Sequence, residues 1–259
     1  MEVISKIILG IVQGITEIIP VSSSGHLILL GELLGLEVDL AFLTFLHLST
    51  GLAIILGFWE EIQYIIKSEI RKYFFKIILI AILPAILIGV LTHNFVEDFL
   101  HNVFVIIPSL IFFGILMIFV DLFFSDKAKI KKFEDIKEKN ALKIGLAQII
   151  ALIPGTSRSG ITIMPAVIMG IDKKIAVAFS FLIGLPLIMG SFFFEILRTQ
   201  TTTDEIFKQE NIIGGIAAFI FAYFTILIFK KLLNTKFLMF FGLYRIALGI
   251  LAAILLLVI

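Results

Sequence analysis

Glu17, His26 and Arg158 each sit in an otherwise apolar stretch of this chain, and the residues around them have the makings of a phosphate site. Gln13 and Glu17 are spaced i, i+4, which places both on one helix face. A carboxylate beside a carboxamide suits a hard divalent cation such as Mg²⁺, which prefers oxygen ligands. The run Pro20-Val-Ser-Ser-Ser-Gly-His26 then leads directly into an apolar helix. A helix start has free N–H groups and the positive end of its dipole, so Ser24 and Gly25 there would cradle an anion. His26, whose imidazole titrates near neutrality, follows Ser22 and Ser23 closely enough for a hydroxyl nucleophile and a base to be paired. A second segment reads Gly155-Thr-Ser-Arg-Ser-Gly160, then Thr162, and Arg158 is the only Lys or Arg between Lys143 and Lys173. A guanidinium among apolar residues needs an anion, and it matches phosphate oxygens through two parallel bonds. Hydroxyls at Thr156, Ser157, Ser159 and Thr162, with Gly160, would complete the ring of donors.

Each of these residues also has a plainer reading. Glu17 near a helix end can snorkel to the interface, Ser23 or Ser24 can simply cap a helix, and Arg158 can form a structural ion pair with Glu17. His47 reads as a packed or hydrogen-bonded helix residue, His93 and His101 as solvated in an external loop, and Glu195 as a snorkelling span end. The lysine run 127–132 is expected to meet anionic headgroups. No loop follows the GxxxxGK[ST] pattern, which argues against nucleotide binding of that kind.

The elements that must position these groups belong to a membrane. Hydrophobic residues make up 60% of the 259 positions and charged residues 16%, with a mean hydropathy of +1.14. A soluble domain carries roughly 25% charged residues. A net charge of +1 argues against nucleic acid as a partner, and the absence of cysteine leaves no thiolate site. Six runs are long enough to span, at 41–59, 74–91, 103–124, 175–197, 212–229 and 237–259. Four shorter ones, 7–19, 26–36, 144–153 and 161–171, flank the two serine-rich breaks. The N-terminal run is interrupted by Gln13 and Glu17 and lacks a small-residue cleavage site, so it is expected to stay in the mature protein.

The two breaks are related. At a shift of 135, Gly10 meets Gly145, Gln13 meets Gln148, Ser22 meets Ser157, Ser24 meets Ser159, Gly25 meets Gly160 and Gly35 meets Gly170. This reads as one membrane domain built from a repeat, about 1–124 and 144–259, joined by a charged loop at 125–143. If both broken segments re-enter from their own side, sixteen Lys and Arg fall in loops on one face and two on the other. The positive-inside rule makes the first face cytoplasmic. The expectation is an all-α polytopic fold with an inverted repeat, two re-entrant helical hairpins, about six transmembrane helices and both termini outside. Broken segments at matching places in inverted halves point to a midplane site.

The motifs Gln13-Gly-Ile-Thr-Glu17, Pro20-Val-Ser-Ser-Ser-Gly-His26 and Pro154-Gly-Thr-Ser-Arg-Ser-Gly160 resemble the undecaprenyl-diphosphate phosphatase family of bacitracin-resistance proteins. In that family an (E/Q)xxxE segment leads into PVSSxGH, with PGxSRSG later, and the similarity extends over the whole chain. The resemblance implies hydrolysis of the lipid carrier undecaprenyl diphosphate to undecaprenyl phosphate and inorganic phosphate, recycling it for cell-wall synthesis in the bacterial inner membrane. It also implies a fold that often dimerises. On this reading Ser23, or Ser22, attacks the terminal phosphorus and His26 acts as base, or His26 itself attacks. Glu17 orients the imidazole or, with Gln13, holds Mg²⁺ or Ca²⁺, and the glutamine in the first motif position weakens a two-carboxylate metal site. The competing reading is an inverted-repeat transporter or flippase of a lipid phosphate or small anion.

Overall fold

The computed structural model describes residues 2–35, 39–100, 102–125, 128–199, 207–233 and 236–258, and these are helical nearly throughout. Helix α1 (Glu2–Ile18) stops short of Pro20, and α2 (Ser23–Leu34) turns back to pack on it. Helix α3 (Leu40–Gly57) bends by 64° at Phe58 into the charged helix α4 (Trp59–Lys67). Helix α5 (Arg71–Phe95) runs into a π-helical turn, Val96–Leu100, before α6 (Val103–Phe124). The second half supplies α7 (Glu138–Gln148), a 3₁₀ turn (Ile149–Leu152), α8 (Arg158–Ile168), α9 (Lys173–Thr199), α10 (Gln209–Leu232) and α11 (Phe237–Val258).

Helices α5, α6, α9, α10 and α11 are long and apolar enough to cross a membrane, and the bent pair α3–α4 makes a sixth candidate. The expected span at 41–59 therefore ends at Gly57, and the chain turns into a helix with Glu60 and Glu61 in its first turn. His93 corrects another expectation. It lies in the last turns of α5 with its ring 5.4 Å from that of Phe194 on α9, so it is packed instead of lying free in a loop. His101, Lys127 and the side chain of Glu195 fall outside the described residues. Outward-facing residues such as Leu91, Phe104, Phe240 and Leu257 are large and apolar, as a lipid-facing surface requires.

Packing interleaves the two halves. Helix α1 lies along α10, α7 lies along α5, and α6 pairs with α11. The first two contacts use the glycines matched at the shift of 135. A Cβ on Gly10 would stand 2.1 Å from the Gly214 carbonyl oxygen, and one on Gly145 would stand 2.4 Å from that of Ala81. Without hydrophobic drive between helices in lipid, such small-residue crossings supply the close van der Waals packing. At one end of the bundle the buried Asp121 of α6 accepts from the amide of Met239 at 2.8 Å and pairs with Lys173 at 2.8 Å. That one carboxylate fastens α6, α9 and α11 together.

The two breaks share their backbone geometry. Ser22 has φ 75° and Ser157 has φ 71°, the only non-glycine positive values among the described residues. Each is an N-cap whose side chain accepts from a glycine amide, that of Gly25 at 3.4 Å and that of Gly160 at 3.3 Å. Left-handed serines cost about 1–3 kcal/mol each, so the surrounding structure must hold both loops in place. The second break also has Ile153 extended ahead of Pro154, as the proline ring demands. Gly155 follows at φ 89°, with space for a Cβ closed by the Ile106 carbonyl oxygen at 2.8 Å.

Candidate active site

The breaks open α2 and α8 onto one cavity of about 270 Å³, lined by Glu17, Ser22–Ser24, Thr156–Ser159 and residues of α3 and α9. Glu17, on the last turn of α1, is its electrostatic centre. It accepts from the Ser23 hydroxyl at 2.7 Å and from the Gln13 amide at 3.3 Å on Oε2, and from Arg158 Nη2 at 2.8 Å on Oε1. Both charged side chains are largely buried, at 10% and 17% exposure. Arg158 Nη1 is buried without a protein acceptor, against Gly184 of α9. The ion pair considered from the sequence is thus present.

The serine loops supply the other donors. The first N–H groups of a helix have no intrahelical partner. Gly25 and Gly160 give theirs to Ser22 and Ser157, which removes these two glycine amides from the expected anion cradle. The amides of Ser23 and Ser24 on α2, and of Arg158 and Ser159 on α8, are left at the positive ends of two helices. The helix caps are Ser22 and Ser157, where Ser23 or Ser24 had been the plain capping candidates. Ser24 and Ser159 stand 3.4 Å from those cap hydroxyls.

Two assignments need correction. The His26 ring is turned away from the cavity: Nδ1 meets the Ser22 carbonyl at 2.8 Å and Nε2 meets the Tyr244 hydroxyl at 2.8 Å. Helix side chains lean toward the N-terminus, so an imidazole at this position falls back on the break instead of reaching Ser23. The group beside the Ser23 hydroxyl is Glu17. Thr162 likewise points into the bundle, donating to the Arg158 and Ser159 carbonyls and pairing with Ser180 at 2.6 Å. Thr156 lines the cavity, though its hydroxyl is given to the Ile153 carbonyl at 2.8 Å.

Metal binding by Glu17 and Gln13 does not fit this donor set. Both carboxylate oxygens are already engaged, and no group of three His, Cys, Asp or Glu side chains capable of holding an ion exists among the described residues. Gln13 Oε1 is buried without a partner, but one amide oxygen makes no cage.

Sequence reasoning missed several residues. Arg245 of α11 is fully buried, and its guanidinium donates to the carbonyls of Thr156 at 2.8 Å, Gly155 at 2.5 Å and Pro20 at 3.3 Å. It therefore clamps both breaks at once. Its signal was present: it is the only Lys or Arg after Lys236, the same argument that singled out Arg158. His47 of α3 also lines the cavity. Gly184 of α9 lets Arg158 lie against the helix, since a Cβ there would fall 1.6 Å from Nη1.

A helical membrane bundle in which two helix N-termini, a buried arginine and a carboxylate-bound serine share one cavity is a membrane protein built to handle phosphate. The chain belongs to the family described as bacitracin resistance protein BacA, whose model matches residues 6–251. It is similar to the undecaprenyl-diphosphatase of Thermosipho africanus, 37% identical over 254 residues that cover 96% of this chain and 98% of the relative. The undecaprenyl-diphosphatase of Fusobacterium nucleatum is 33% identical, with 96% and 99% covered. That of Halothermothrix orenii is 36% identical, with 98% of each covered.

Proposed function

We propose that this chain hydrolyses undecaprenyl diphosphate to undecaprenyl phosphate and inorganic phosphate, which recycles the lipid carrier for peptidoglycan synthesis and confers resistance to bacitracin. Family membership and near-full-length similarity to undecaprenyl-diphosphatases support this reading. The observation that carries the mechanism is the 2.7 Å hydrogen bond from the Ser23 hydroxyl to Glu17. A carrier has use for donors but none for a hydroxyl held on a carboxylate base.

The terminal phosphate sits between the N-termini of α2 and α8, with the Arg158 guanidinium and the free amides on its oxygens. Glu17 takes the Ser23 proton as Oγ attacks phosphorus. The bond from phosphorus to the bridging oxygen breaks, and undecaprenyl phosphate leaves with that oxygen, accepting the proton from Glu17. Water then attacks the phosphoserine while Glu17 takes its proton. The phosphorus–Oγ bond breaks, and Glu17 returns the proton to Ser23. Most of the acceleration in phosphoryl transfer comes from positioning and charge stabilisation, which here fall to Arg158 and the helix ends. Ser22, Ser157 and His26 act by holding the breaks in shape. Any Mg²⁺ or Ca²⁺ would accompany the diphosphate, whose oxygens suit a hard cation.

In the membrane the hairpins α1–α2 and α7–α8 re-enter from opposite faces, with the lysine-rich loops cytoplasmic and both termini outside, and the prenyl tail runs between helices into lipid. Two copies form a homodimer. The test of the function is phosphate release from a prenyl diphosphate by purified protein in detergent, where no gradient exists. Release abolished by Ser23→Ala is expected, and no release by the parent protein refutes the reading.

A further inference from the structure

The cavity wall beyond the serine loops comes from α3 and α9, through His47, Leu187, Ile188 and Ser191. His47 lies one turn before Gly51, where α3 touches α9: a Cβ on Gly51 would meet Met189 Sδ at 3.1 Å and Ile188 Cγ2 at 3.4 Å. His47 thus stands at the seam between the polar cradle and the apolar side of the cavity. Glu17 and Arg158 are the charged groups that face it. Neither ring nitrogen is hydrogen-bonded by a described residue, and neither is sealed away from the cavity. Ser191, its polar neighbour on the wall, gives its hydroxyl to the Ile188 carbonyl at 2.9 Å.

The assignment rests on the function proposed above. A diphosphate has two phosphates, and the cradle's donors are all drawn in around Ser23, where the terminal one must lie. The cavity lining also includes the apolar residues Ala151, Ile153, Leu187 and Ile188, which suit the start of a prenyl tail, and the second phosphate is assigned between them and that cradle. A hydrogen-bond donor is needed there, because a buried phosphate oxygen without one is costly. We propose that His47 donates a ring N–H to the lipid-side phosphate and so makes the site select diphosphates over single phosphates. The donor is what matters, so an amide of similar reach should serve in its place.

The test compares the parent with His47→Leu and His47→Gln, using phosphate release from a prenyl diphosphate and competitive inhibition by inorganic phosphate and by methylenediphosphonate. A hydrogen bond to a charged group contributes about 1.5–3 kcal/mol, or roughly 10–100-fold. His47→Leu should lower kcat/KM by about that factor and weaken methylenediphosphonate comparably, leaving inorganic phosphate within about twofold. His47→Gln should recover most of both losses. The assignment is overturned if His47→Leu matches the parent, if it weakens the two inhibitors equally, or if His47→Gln is as impaired as His47→Leu. A parent protein that releases no phosphate is a separate outcome, and it removes the proposed function instead.

Discussion

Replacing Arg245 by Met tests whether the chemistry depends on a residue that never faces the cavity. The substitution keeps an unbranched apolar stem and removes the guanidinium, leaving the buried carbonyls of Gly155 and Thr156 without their 2.5 and 2.8 Å donors and that of Pro20 without its weaker one at 3.3 Å. An unpaired buried polar group costs about 1–3 kcal/mol, so the two short bonds alone put the loss at about 2–6 kcal/mol. That is a large part of the roughly 5–15 kcal/mol that holds a typical domain together. The loops can shift to recover some of it, however, because they contain the strained Ser22 and Ser157. A shift of about 1 Å at a reacting group costs on the order of 10²-fold in rate. Phosphate release at saturating prenyl diphosphate should therefore fall about 100-fold, with helix content by circular dichroism preserved below a lowered melting temperature. Arg245→Lys keeps the charge but reaches fewer carbonyls, and it should fall between the two. Activity of Arg245→Met within twofold of the parent would refute the clamp.

Arg158→Ala should lower kcat by about 10²–10³-fold, as the loss of one oxyanion donor does, and near-normal turnover removes it from the site. Glu17→Gln, which keeps the shape but not the basicity, should abolish phosphoenzyme formation while leaving the fold intact by circular dichroism. In a rapid quench with labelled substrate the phosphoryl group should be found on Ser23, and its recovery on His26 would reverse the correction made to that residue. Because the described residues offer no metal cage, Mg²⁺ should leave the melting temperature of the substrate-free protein unchanged while supporting turnover. A rise of several degrees would restore Glu17 and Gln13 as metal ligands.

Much of the architecture was legible because the bilayer imposes it. Apolar runs of about 20 residues have to be spans, and the matched Gly-Gln-Ser-Gly pattern announced two loops that do fold alike, down to the sign of φ at Ser22 and Ser157. Glu17 and Arg158 were legible as costly groups in hydrocarbon, and they were found paired at 2.8 Å. What stayed hidden was direction. Spacing placed His26 near Ser23, but only the backbone shows its ring bent back onto the Ser22 carbonyl. Thr162 was lost to Ser180, a partner 18 positions away on another helix. Arg245 acts on carbonyl oxygens, which every residue has and no motif records. His47 had been read as a packed or hydrogen-bonded helix residue, because the breaks with which it lines the cavity lie far from it in sequence.

Ser23 and Arg158 occupy the same place in the two repeats, each just after its left-handed serine. The two halves thus aim a hydroxyl and a cation at one point through a common backbone design. An assembly of two identical halves would present either two hydroxyls or two guanidiniums there, and the second pair would repel. Joining unlike copies in a single chain breaks that symmetry, and on the proposed mechanism it gives the phosphorus a side to be attacked from and a side to be held by.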